Sequence, residues 1–139
     1  MTNLDDAAAV LALLVADTNL KVYDGSPPVD PTTGKLPARP YVVLWSPPIP
    51  AATIDTLSGR SGWFEQIPQT TIVGDTPESV RIVSRRVRTA LLDVVPVVAD
   101  RVCLPIRMEG NPLPIQPDTD VAPPVLWSAI RWLCSSTPA

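Results

Sequence analysis

The 18 prolines of this 139-residue chain restrict its fold more than any other feature. A proline fixes its own φ angle and has no backbone N–H to donate, so it is confined to edge positions or breaks within a sheet. Most of the prolines fall in the segments 26–38, 46–62 and 110–124. We therefore expect three long irregular loops, and loops of this length are usually functional or disordered.

Two segments outside these loops predict helices. Residues 3–17 carry apolar side chains at helical spacing, and Asn3 or Asp5 is suited to cap the first turn. The second helix is better marked, since Thr76 can cap it and Pro77 suits its first position. We expect it to run for about eighteen residues and to end before Pro96. A valine-rich stripe faces inward, and three arginines lie on the opposite side: Arg81, Arg85 and Arg88.

The remaining apolar runs, rich in β-branched and aromatic residues, predict strands. They are residues 20–23, 41–45, 63–73 with a break at Pro68, 101–109 and 125–134. A helix remains an alternative for the last of these. The expected order is α-β-β-β-α-β-β, in one domain spanning 1–139. This predicts an α+β fold in which a single mixed, mainly antiparallel sheet packs against two helices. We expect Trp45 and Trp127 to lie in the core.

Candidate chemistry is scarce in this sequence. The chain has no histidine, and it lacks the common nucleotide-binding, hydrolase and metalloprotease motifs. Cys103 and Cys134 have neither metal-ligand spacing nor histidine companions, so we interpret them as small core residues of a reduced, cytosolic protein, with a disulfide as the disfavoured alternative. Asp118 and Asp120 could ligate a cation, but turn formation among prolines is the favoured interpretation. We expect no enzyme activity, no cofactor and no metal.

Charge and hydropathy favour protein partners. The net charge of −3 argues against a general nucleic-acid binder, and no apolar run is long enough to span a membrane. Trp63 and Phe64 leave the long loop that contains Arg60, so they are candidate interface anchors, with a core position as the alternative. The arginines of the second helix could contact acidic residues of a neighbouring copy in a head-to-tail ring, although a solvated face is as plausible. The candidate acidic residues are Asp5, Asp6, Asp93 and Asp120.

Several segments carry a family resemblance: Val22–Gly25 before a proline loop, Arg39–Trp45, Thr70–Pro77 opening an Arg-rich helix, Arg101–Arg107 and Pro123–Trp127. Over roughly residues 4 to 130 the chain resembles the tail-terminator (tail-completion) proteins of long-tailed phages that infect actinobacteria. The resemblance implies a virion protein that is assembled in the host cytoplasm and located at the junction of tail and neck.

Such a protein would form a ring, expected to be a hexamer, which ends polymerisation of the tail-tube protein and joins the tail to the head-tail connector protein. DNA would pass through the lumen without specific binding, which an acidic chain suits. A head-side connector or stopper of the same neck is the alternative. The resemblance places loops and interfaces at residues 24–39, 46–64 and 110–124. The candidate subunit or tube interface comprises Arg60, Trp63, Phe64, Arg81, Arg85, Arg88, Asp118 and Asp120.

Overall fold

The structure is a computed structural model, and it describes residues 3–48, 51–55, 61–120 and 124–138. The helices are α1 (Asn3–Val15) and α2 (Pro77–Leu91). The strands are β1 (Val22–Asp24), β2 (Tyr41–Trp45), β3 (Ala51–Asp55), β4 (Ser61–Gln66), β5 (Gln69–Gly74), β6 (Arg101–Cys103), β7 (Arg107–Met108), β8 (Gln116–Asp118) and β9 (Val125–Pro138).

The 14-residue strand β9 organises the sheet. Along one edge it pairs antiparallel with β5 and then with β4, and the register is the same on both sides of Pro68. The backbone N–H of Trp132 donates to the carbonyl of Pro68 over 2.9 Å, which carries the pairing across the break. Along its other edge β9 pairs with β8, β7 and β6 in turn. The predicted final strand is therefore confirmed, and it is the centre of the fold.

The outer strands extend the sheet in the order β1-β2-β5-β9-β4-β3. Strand β2 lies antiparallel to β5, and β3 lies antiparallel to β4, whereas β1 lies parallel to β2. The α+β class, with a mixed and mainly antiparallel sheet against two helices, is confirmed. The observed order differs in detail, because among the described residues five strands precede α2 and four follow it.

Both helices contribute to one hydrophobic core on one face of the sheet. Thr76 caps α2 as predicted, since its side chain accepts a hydrogen bond from the N–H of Ser79 in a capping box. The predicted apolar stripe of α2 is buried at Val80, Val83, Val87 and Leu91, and α1 adds Val10 and Leu14. From the sheet they meet Val42, Leu44, Ile72, Ile130 and Trp132.

Helix α2 ends three residues before the point expected from sequence. Leu92 is extended, and Asp93 has a positive φ of 62°. The N–H of Asp93 donates to the carbonyl of Ile106, and the N–H of Ile106 donates to the carbonyl of Val94. These tertiary hydrogen bonds replace the helical ones, so the final turn is lost although its sequence would permit it.

Two predicted loops contain strands. Residues 46–62 include β3 and the start of β4, and residues 110–124 include β8. The predicted strand 101–109 is divided into β6 and β7 on either side of Pro105. The reason is that β4 and β9 offer their hydrogen-bonding edges to these segments, and an edge position tolerates proline.

The prediction that Trp45 lies in the core is wrong, because 43% of its surface is exposed. Alternate residues of β2 face opposite sides of the sheet, so Val42 and Leu44 meet the helices and Trp45 cannot. Its indole N–H donates to the hydroxyl of Thr71 instead. Trp127 is half-buried, and Trp132 is the tryptophan that the core encloses completely.

Candidate functional site

The arginine stripe of α2 is the first candidate surface. Arg81, Arg85 and Arg88 are exposed, and within the described part of the chain none of them forms a salt bridge. The neighbouring Arg86 differs, since its guanidinium lies 3.3 Å from the carboxylate of Asp17. The pKa of Asp17 is lowered mainly by the backbone N–H of Asn19 and further by Arg86. Like charges at helical spacings of three and four residues repel, so the stripe is suited to an anionic partner.

A groove lies beside this stripe, between α2 and the segment that carries β7 and β8. It has a volume of about 260 Å³ and is lined by Arg81, Ser84, Arg85, Arg88, Met108, Pro112, Ile115 and Ile130. We call it the α2 groove. Its floor is apolar, its rim is basic, and none of the described residues that line it carries a carboxylate. Such a combination fits an apolar side chain flanked by negative charge.

Trp63 and Phe64 are both half-buried, so neither projects freely from the surface. The guanidinium of Arg101 lies over the Phe64 ring, 4.2 Å from its centroid. Arg101 also donates to Ser136, to the hydroxyl over 3.1 Å and to the carbonyl over 2.7 Å. Phe64 therefore has an intramolecular partner, and the anchor role expected of Trp63 and Phe64 stays a prediction. Arg60 lies outside the described residues.

The candidate acidic residues are dispersed. Asp118 is half-buried in β8, and its carboxylate accepts the backbone N–H of Asp120 over 3.1 Å. The two residues therefore form a local turn, which is the interpretation favoured from the sequence. Asp6 is only 6% exposed, so its assignment as a surface partner of the arginines is wrong. Asp93 is exposed and remains available for that role.

Sequence reasoning missed an exposed apolar segment that follows α2. Downstream of α2, the side chains of Val95 and Val97 are 52% and 92% exposed. Val102 and Leu104, in and after β6, are also exposed. We call the stretch from Asp93 to Asp100 the valine bulge. Its signal in the sequence is the run Val-Val-Pro-Val-Val, which follows neither helical nor strand periodicity and so resembles a simple connector.

The described residues hold little that resembles a reaction centre. Nowhere among them do three or more histidine, cysteine, aspartate or glutamate side chains form a group that could hold a metal. Both cysteines are free, and burial raises the pKa of the Cys134 thiol to about 12, which keeps it protonated and poorly nucleophilic. In the part of the chain that is described, neither helix has the length and hydropathy to cross a bilayer.

Comparisons with known proteins bear on the fold. No protein-family model matches the chain, and no curated protein matches its sequence. Among solved structures, a chain from the virion of a native gene transfer agent (GTA) particle superimposes with a TM-score of 0.62. The likeness covers 94% of this chain and 93% of that one, at 16% sequence identity. The two chains therefore share a fold along nearly their whole lengths.

Proposed function

We propose that this protein is a structural component of a virion that acts by assembly and catalyses no reaction. The observation that carries the proposal is the fold shared with a chain of a virion particle over 94% of one chain and 93% of the other. Near-complete coverage in both directions matters because the shared fold then accounts for almost all of the residues of both chains compared.

More specifically, we propose that the protein forms a ring at the junction of tail and neck. The ring ends polymerisation of the tail-tube protein and offers its other side to the head-tail connector protein. Two features support assembly: the α2 groove, whose arginines form no salt bridge in the described part of the chain, and the exposed apolar side chains of the valine bulge. The net charge of −3 suits a lumen through which DNA passes without being held. A hexamer is the expected ring, and no cofactor is required.

Electron micrographs of particles assembled without this protein test the role. Abnormally long tails without heads are expected if the ring ends tube growth. Tails of normal length that stay separate from filled heads would instead indicate a stopper on the head side. Normal, fully joined particles would contradict both roles.

A binding experiment with purified components separates the same alternatives. We expect the protein to co-sediment with preformed tail tubes and to stop their further growth. Co-sedimentation with DNA-filled heads alone would favour the stopper.

A further inference from the structure

We propose that the valine bulge of one copy docks into the α2 groove of the next copy, and that this contact builds the ring. The inference rests on the assembly proposed above and names the surfaces that join its subunits. It follows from the shape, the apolar character and the charge of two patches on the same chain.

The valine bulge is rigidly held although its tip is exposed. Val97 is 92% exposed, whereas Val98 is only 7% exposed and Pro96 is also buried. The hydrogen bonds between Ile106 and the backbone of Asp93 and Val94 fix one end of the segment. An apolar tip on a fixed backbone loses little conformational entropy on docking, which favours its use as a contact.

The α2 groove has the volume and the apolar floor to accept the tip of the valine bulge. An enclosed cavity of roughly 150 Å³ holds a benzene molecule, so a groove of about 260 Å³ has room for the Val97 side chain and adjoining backbone. Met108, Ile115 and Ile130 supply an apolar floor. Burying an exposed valine there removes apolar surface from water on both copies.

The charges around the two patches are complementary. Asp93 and Asp100 flank the bulge and are both exposed, and both have positive φ angles, 62° and 60°. Aspartate tolerates this backbone conformation better than most residues, so the bend can carry negative charge without a glycine. Arg81, Arg85 and Arg88 rim the groove with no carboxylate among the described lining residues. Docking would place the two aspartates near three guanidinium groups that form no salt bridge within the described residues.

We assign the bulge and the groove of each copy to different neighbours, which makes the contact head-to-tail. Each copy would use its bulge on one neighbour and its groove on the other, so the assembly closes into a ring or continues as a chain. A reciprocal two-fold dimer, in which each bulge fills the groove of the other copy, is the competing arrangement, and a wild type that stops at a dimer would overturn the ring.

Two variants each disable one patch. Val97→Asp places a charge on the bulge, and Arg81→Glu with Arg85→Glu reverses the groove rim. All three side chains are exposed, so we expect native circular dichroism for both variants. Sedimentation velocity should show the wild type as a ring and each variant as a monomer, with subunit affinity reduced at least about tenfold. Val15→Asp and Arg107→Glu, at exposed positions outside both patches, are the matched controls and should assemble normally.

Mixing the two disabled variants gives the decisive measurement. The intact bulge of the arginine variant should dock into the intact groove of the Val97→Asp variant, and the product should be a dimer that grows no further.

The double variant Asp93→Asn with Asp100→Asn removes charge alone, because asparagine also tolerates a positive φ angle. It should weaken assembly and reduce the salt dependence of assembly.

Three further results would overturn the inference: a monomeric wild type, disabled variants that assemble like their controls, or a mixture that stays monomeric. The role in the particle is judged separately from the micrographs. Long headless tails together with normal assembly of the disabled variants would reject the docking contact alone. Ring assembly through the two patches together with normal tails would reject the tail role alone.

Discussion

Replacing Thr70 by valine tests the polar contact at the centre of the core. Thr70 and Trp132 are both fully buried. The indole N–H of Trp132 donates to the Thr70 hydroxyl over 3.0 Å, and that hydroxyl donates to the carbonyl of Ile130 over 3.3 Å. Valine has nearly the shape of threonine, so the substitution removes the hydrogen bonds while it leaves the packing in place.

The expected loss follows from those contacts. A buried N–H without an acceptor costs about 1–3 kcal/mol, and the added methyl group returns up to about 0.8 kcal/mol. We expect Thr70→Val to lower the free energy of unfolding by about 1–2 kcal/mol. For a chain of this length that corresponds to a melting temperature lower by roughly 3–8 °C. Thr70→Ser keeps the hydroxyl, so it should retain the Trp132 contact and lose only the methyl group.

Urea unfolding followed by circular dichroism, at one fixed protein concentration, measures the effect. Trp132→Phe removes the donor, so Thr70→Val should cost about 1 kcal/mol less in that background than in the wild type. Additive losses, or a loss below about 0.5 kcal/mol for Thr70→Val alone, would refute the assignment of this hydrogen bond as a core constraint.

Three further predictions concern a helix cap, a surface contact and a buried thiol. Thr76→Ala should destabilise the protein by about 1 kcal/mol in urea unfolding because α2 loses its capping box, whereas Thr76→Ser should be nearly neutral. Arg101→Ala should cost about 1–2 kcal/mol by the same measurement, because it removes the stacking on Phe64 and the hydrogen bonds to the hydroxyl and carbonyl of Ser136. An equal loss from the exposed Arg107→Ala would contradict this. The pKa of Cys134 is about 12 when folded against 9.0 for the unperturbed group, so its contribution to stability should be complete below pH 9 and fall as the pH rises towards 12. Thermal melts between pH 8 and 11 should show a smaller decline in melting temperature for Cys134→Ala than for the wild type. An equal decline in both proteins would exclude this thiol as a source of the lost stability.

Local signals predicted the elements that local interactions stabilise. Helix α2 begins where Thr76 and Pro77 predict, because a cap and a first-turn proline act within a few residues. Strand β2 has the predicted bounds, since a β-branched, aromatic run between prolines has few alternatives. The break at Pro68 was also predicted, but sequence could not show that one register continues across it.

The candidate site was only partly predictable. The arginine stripe follows from helical periodicity, which depends on the chain alone. The floor of the α2 groove does not, because Met108, Ile115 and Ile130 come from segments that meet only in the folded molecule. The exposure of the valine bulge could not be predicted from the sequence for a related reason. A short apolar run predicts burial, and whether it is covered depends on which elements pack over it.

Sequence by itself determined the α+β class, the two amphipathic helices and the scarcity of catalytic groups, because composition, capping and periodicity act over a few neighbouring residues. Tertiary structure alone decided that Trp132 is buried while Trp45 is exposed, and that Asp93 leaves the helix to bond Ile106. The physical reason is that a β-sheet joins residues distant in sequence, and only those long-range pairings fix which face is covered and which edge is used.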